Sequence, residues 1–221
     1  MLRKLVLAGA CAASIAIPAA APAANMAHID AYVTPYYNSA GPRIDIGPFS
    51  AGLASNDNKR FVATVQQMKQ HWLQRSFIEL YVGAIQLYDN GYRNEATYWF
   101  YSAQYAGRQL NAFADQAKLG SIGDPGFELL HAQEAFFELS GPYINSFAFS
   151  QTATTKAILA RVRSERATVP DVRKIYPGVA FVDPKKWASL NAQIAAGLKQ
   201  LEQQVPHRDS SLKTRPFPGG Y

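Results

Sequence analysis

The sequence predicts an all-α protein: an irregular bundle of about six helices with one tetratricopeptide-like helical hairpin, an extended N-terminal segment and a disordered C-terminal tail. Three observations lead there. Between residues 56 and 205 apolar side chains recur at spacings of three and four, which lines one face of a helix. Asp124-Pro125 and Asp183-Pro184 each offer a capping carboxylate followed by proline, the residue favoured at a first helical position. The one stretch of strand-like composition, Val169 to Val182, is interrupted by Pro170, Pro177 and Gly178 and reads as a loop.

Taken in order, the first residues stand apart from the fold. Arg3 and Lys4 precede an apolar run from Leu5 to Ile17, broken by Pro18, and Ala21-Pro22-Ala23 is a small-x-small cleavage site. The run is shorter than the roughly 20 residues that cross a bilayer. Residues 1–23 therefore read as a secretory signal peptide, and the working chain is expected in the periplasm or outside the cell. Cys11 gives the alternative of a lipoprotein. Against it, the apolar run before Cys11 is short, and Ala8 stands three residues upstream in place of a bulky aliphatic.

Residues 24–55 hold Pro35, Gly41, Pro42, Gly47, Pro48 and Gly52, a density of breakers that no helical period survives. Tyr32, Tyr36 and Tyr37 make this segment aromatic, so it is expected to wrap over a helical body. The helical domain follows over 56–205. Ser55, Asn56 and Asp57 are alternative caps for a first helix striped by Phe61, Val65, Met68 and Trp72. A second helix runs from about Phe77 to Tyr88 with Ile78, Val82 (or Tyr81), Ile85 and Tyr88 inward. Asp89-Asn90-Gly91 ends it. A third runs from Arg93 to about Gln116 and packs through Ala96, Phe100, Ala103, Leu110 and Phe113.

Asp124-Pro125 opens a fourth helix to Leu139, with Phe127, Leu130, Glu134 and Phe137 along one strip and Gly141-Pro142 as its stop. Thr152 or Thr154 caps a fifth reaching Ala167, with Ile158, Leu159 and Val162 buried. The last, from Asp183-Pro184 to Val205, carries Trp187, Leu190, Ile194, Leu198, Leu201 and Val205 inward at nearly heptad spacing. Residues 206–221 are polar, basic and rich in proline and glycine, and are expected to be disordered.

The bulk chemistry narrows the function. Net charge is +6, two charges of which belong to Arg3 and Lys4. The remaining surplus favours acidic partners, such as an acidic protein, a lipid surface or wall polymers. Lysine and arginine are scattered, which is no nucleic-acid footprint. The single cysteine lies in the signal, so the exported chain must be held by packing without a disulfide. No cysteine nucleophile, Gly-x-Ser-x-Gly elbow or phosphate-binding glycine loop is present. Glu128-x-x-His131 has the spacing of one half of a di-iron bundle site, but the second half and the further glutamates are missing, so no metal or cofactor is expected. Glu79 and Glu134 are candidates for a glycosidase acid and base by residue type alone.

The sharpest pattern lies in the second and third helices. Gly91, Ala96, Phe100 and Ala103 fall where a tetratricopeptide-like hairpin places its turn glycine, small, aromatic and small residues. There is no second copy at a fixed period, so a solenoid is not implied. From Glu95 the chain reads Glu-Ala-Thr-Tyr-Trp-Phe-Tyr-Ser-Ala-Gln, with Arg108 four residues after Gln104, and later Gly141, Ile144 and Asn145 match Gly-x-x-Ile-Asn. Over about Leu80 to Ser150 this resembles an uncharacterised group of small exported bacterial helical proteins carrying Glu-Ala-x-x-Trp-Phe-Tyr-x-x-Gln. It departs from that group at Ala106, where an arginine is expected. The resemblance implies an exported helical protein and no particular activity.

Trp99, Tyr101, Gln104, Arg108 and Asn145 are the candidate binding residues, because aromatics and arginine dominate interface energetics. The alternative is that Glu95, Gln104, Arg108 and Asn145 cross-link helices, with Arg108 paired to Glu95 or Glu134. The preferred expectation is a periplasmic protein-binding module with a partner in the cell envelope, in its concrete form an immunity or inhibitor protein against a secreted toxin. A wall-active hydrolase using a carboxylate pair and an envelope scaffold are the alternatives.

Overall fold

The computed structural model describes residues 29, 45–205 and 214–221. The signal peptide, Cys11, Tyr32, Tyr36, Tyr37 and the start of the basic tail lie outside the described residues. What is described is all-helical: α1 (Ser50–Leu53), α2 (Asn58–Lys69), α3 (Phe77–Asp89), α4 (Arg93–Phe113), α5 (Pro125–Phe149), α6 (Thr152–Glu165), α7 (Val172–Ile175) and α8 (Trp187–Gln204). Among the described residues no strand forms beyond one isolated antiparallel bridge between Ala114 and Phe181. No helix among them is long and apolar enough to cross a membrane.

Local chemistry sets most helix starts. Asp57 caps α2, accepting from the Lys59 amide at 2.9 Å. Ser76 and Glu79 form a reciprocal capping box at α3, satisfying two of the amides that a helix start leaves open. Asp124 accepts from the Gly126 and Phe127 amides at the head of α5. Gly91 turns the chain between α3 and α4 at φ +81°, a conformation that favours glycine. The hairpin thus forms where its sequence pattern lies, with Ala96, Phe100 and Ala103 all buried.

α4 is the axis of the molecule. It packs against α3, α5, α6 and α8. Glu95 to Ala103 are buried without a break, so the helix has no solvent face along that stretch. At Gly83 of α3 the absence of a side chain admits the Trp99 ring, because an added Cβ would lie 2.2 Å from Trp99 Cζ3. Tyr81 stacks on Phe136 of α5 at 5.2 Å, and Phe113 stacks on Trp187 of α8 at 5.2 Å.

Four expectations are corrected. α5 does not stop at Gly141-Pro142 but runs through to Phe149. Pro142 removes only the donor to the Glu138 carbonyl, and Glu138 lies on an exposed face where water can bond it. Beyond it Ile144, Phe147 and Ala148 are buried, which holds the helix together through the proline. Trp72 is not on the α2 stripe: α2 ends at Lys69, and Trp72 sits in a separate 3-10 turn with Leu73 and Gln74.

The expected breaker-rich segment also contains structure, a 3-10 turn at Gly47–Phe49 leading into α1. There Phe49 packs under the Arg75 guanidinium at 4.6 Å. Lastly, the tail is ordered over residues 214–221. Thr214 Oγ1 accepts from the Arg93 amide at 3.1 Å, Phe217 is buried with its edge on Tyr92, and the Tyr221 amide donates to Glu95 Oε2 at 3.0 Å. Burial of Phe217 and the hydrogen bonds of Thr214, Arg215 and Tyr221 to the hairpin hold it together.

Candidate functional site

The candidate binding residues divide between two opposite faces of α4. Tyr101, Gln104, Tyr105 and Arg108 follow one another at helical spacing and face α8, where Ile194, Leu198 and Leu201 complete an open depression. Tyr101 is buried, and its hydroxyl donates to Asn145 Oδ1 on α5 at 3.0 Å, so Asn145 joins the site from beneath. Four of the five candidates are therefore brought together where α4, α5 and α8 meet. Burial pushes the Tyr101 phenol well above its ordinary range, which keeps it a neutral donor.

The fifth, Trp99, is corrected. It is wholly buried on the other side of α4, where Nε1 donates to Glu95 Oε1 at 2.8 Å and the ring meets Trp72 edge-on at 4.9 Å. Its role is packing. Tyr101 is likewise inaccessible as a contact, so the exposed chemistry of the site belongs to Gln104 and Arg108. The Asn145–Tyr101 bond fits the helix cross-link reading for those two residues.

The cross-link reading does not fit Arg108. Glu95 is fully buried and engaged by Lys69, Trp99 and the Tyr221 amide. Glu134 lies three-quarters exposed beside His131. Among the described residues Arg108 has no ion pair with either. It is half-buried, and desolvation pulls its pKa down, opposed by the Tyr81 phenol nearby; a guanidinium keeps its charge regardless. Gln104 Nε2 is shielded from solvent and without an acceptor. Arg108 thus brings donors alone to the depression, Gln104 brings an amide, and the far wall is aliphatic.

The carboxylates expected by type are committed elsewhere. Glu79 Oε1 takes Arg75 at 3.2 Å while Oε2 takes the Ser76 amide and hydroxyl, so both oxygens serve the α3 cap. Neither Glu79 nor Glu134 lines the depression. Glu128 Oε1 accepts from the Gly123 amide at 2.8 Å, and the His131 ring lies against Phe127. Among the described residues no group of three potential metal ligands gathers.

Sequence reasoning missed Asn191. It is buried on α8, where Oδ1 accepts from Tyr105 and Gln109 at 3.1 and 2.9 Å and Nδ2 donates to the Arg166 carbonyl at 3.0 Å. One amide thereby ties α4, α6 and α8. The available signal was its register, since a polar residue inserted between Leu190 and Ile194 on an apolar seam must find partners.

Fold and site together define a class: an all-helical protein with an arginine-bearing depression beside an aliphatic wall. Compared with known proteins, the chain matches no family model, no curated sequence and no solved structure.

Proposed function

We propose that the chain is exported and acts in the cell envelope as a helical protein-binding module, its α4–α8 depression receiving an acidic side chain from the partner. The concrete form favoured is an immunity or inhibitor protein against a secreted toxin. The observation that carries this reading is a half-exposed Arg108 with no carboxylate partner among the described residues, set beside an aliphatic wall. A carboxylate on an aliphatic stem would pair with Arg108 and lie against Ile194, Leu198 and Leu201. Such a charge-assisted bond is worth about twice a neutral one. Export is supported by the charge, apolar run and cleavage pattern of residues 1–23.

The test is site-specific photo-crosslinking in intact envelopes, with the reactive side chain at Leu198 or, as a control, at exposed Glu134. The expected result is one protein adduct from position 198, lost on Arg108→Glu in a protein that keeps its helical circular dichroism. No adduct, or the same adduct from both positions, refutes the binding face. Retention of the protein in the cytoplasm refutes export. The adduct's identity separates a toxin from an assembly component.

A further inference from the structure

We infer that the bundle encloses a small monovalent anion, of chloride size, on the guanidinium of Arg166. Arg166 ends α6 with only 1% of its surface exposed. Its Nε and Nη2 are shut off from solvent, and neither has a hydrogen-bond acceptor. Among the described residues no carboxylate pairs with it. A buried charge is ordinarily paired, since an uncompensated one costs several kcal/mol. The Arg166 backbone is held in place, its carbonyl accepting from Asn191 Nδ2 at 3.0 Å.

The neighbours do not neutralise it. Glu165, next in sequence, is occupied: Oε1 takes Arg161 Nε at 2.7 Å and Oε2 takes the Tyr98 hydroxyl. Arg161 and Glu165 cancel, so one positive charge remains. Trp72 borders Arg166, its ring centre 5.9 Å from Cζ, and its Nε1 is also buried without an acceptor. Tyr176, another neighbour, accepts from the Phe77 amide at 2.9 Å, and among the described residues no acceptor takes its own proton. The cluster is therefore rich in donors, and the one carboxylate that acts on Arg166, that of Glu165, has both oxygens bonded to other groups.

A cation–π contact with Trp72 offsets only about 0.5–2 kcal/mol and satisfies no N–H. Water can accept from these donors but brings hydrogens that need acceptors in turn, and it leaves the charge in place. A monovalent anion meets both demands. The low exposure of Arg166 makes this ligand a structural part of the folded chain. The site lies apart from the α4–α8 depression and does not depend on its reading.

The test uses the full chain with chloride as the probe. Unfolding is followed in sodium chloride and in sodium gluconate, an anion too bulky to be enclosed, at matched ionic strength. Chloride should stabilise progressively, lowering the unfolding constant about 11-fold at ten times its dissociation constant. Arg166→Met should abolish the difference between the salts. A crystal grown in bromide should show its anomalous peak within bonding distance of Nε and Nη2. Equal stability in the two salts, a chloride effect that survives Arg166→Met, or ordered water on Arg166 with bromide only elsewhere would overturn the inference. Should Arg166→Met fail to fold, the wild-type salt comparison and the bromide crystal decide.

Discussion

Gly83→Ala and Gly197→Ala are the same substitution in two helices and should have opposite signs. An ideal Cβ at Gly83 falls 2.2 and 2.3 Å from Trp99 Cζ3 and Cε3. Carbon atoms rest at about 3.5–4.0 Å, so the ring must withdraw by more than about 1 Å. It has little freedom to do so, pinned by Glu95 through Nε1 and flanked by Trp72. Overpacking of this kind costs about 1–3 kcal/mol, and a rigid ring puts this case at the upper end. Alanine's helix propensity returns about 1 kcal/mol, leaving a net loss of about 2 kcal/mol.

At Gly197 in α8 nothing lies within 4 Å of the added atom, so only the propensity gain applies, about 0.5–1 kcal/mol. Urea unfolding followed by helical circular dichroism measures both. A Gly83→Ala protein as stable as Gly197→Ala would refute the close approach of α3 and α4 at Trp99.

Two further outcomes follow from the buried polar groups. Asn191→Leu should lose about 2–4 kcal/mol in urea unfolding, since Gln109 Nε2 and the Arg166 carbonyl lose their partner while Tyr105 can still use the Asn191 carbonyl at 3.3 Å; a loss under about 1 kcal/mol would contradict the cross-link. Alkaline pH should unfold the protein, because burial pushes Tyr105 up to about 12 and moves Tyr81, Tyr101 and Tyr176 further still, whereas an unfolded phenol ionises near about 10. Below about pH 10 the stability is intact; above it the unfolded chain releases protons first, so stability falls through about pH 12. Tyrosinate absorbance from these residues should rise together with loss of helix, and a titration completed near pH 10 in a still-helical protein would count against their burial.

Legibility in the sequence tracked how local the cause was. The faces of α2 and α6 could be read because Phe61, Val65 and Met68, or Ile158, Leu159 and Val162, recur at helical spacing and are all buried. Pro142 misled because the cost of a proline is local while the burial of Ile144, Phe147 and Ala148 beyond it is tertiary. The tail misled in the same way: its composition resembles a disordered segment, yet Phe217 finds a site beside Tyr92 that only the assembled hairpin offers. In the candidate site, the spacing of Tyr101, Gln104 and Arg108 placed them on one face. Trp99 is a candidate by its residue type alone, and sequence cannot say that every side of α4 is covered.

The sequence by itself determined that the chain is helical, where most helices begin and which residues form their apolar stripes. These follow from period, caps and breakers, which act within a turn or two of the chain. Only the tertiary structure decided which polar groups were left over. Glu95 is saturated by Lys69, Trp99 and Tyr221, and Asn191 ties three helices, while among the described residues Arg108 and Arg166 have no carboxylate bonded to them. Whether a charge finds its counterpart depends on residues tens of positions away, and no local pattern carries that information.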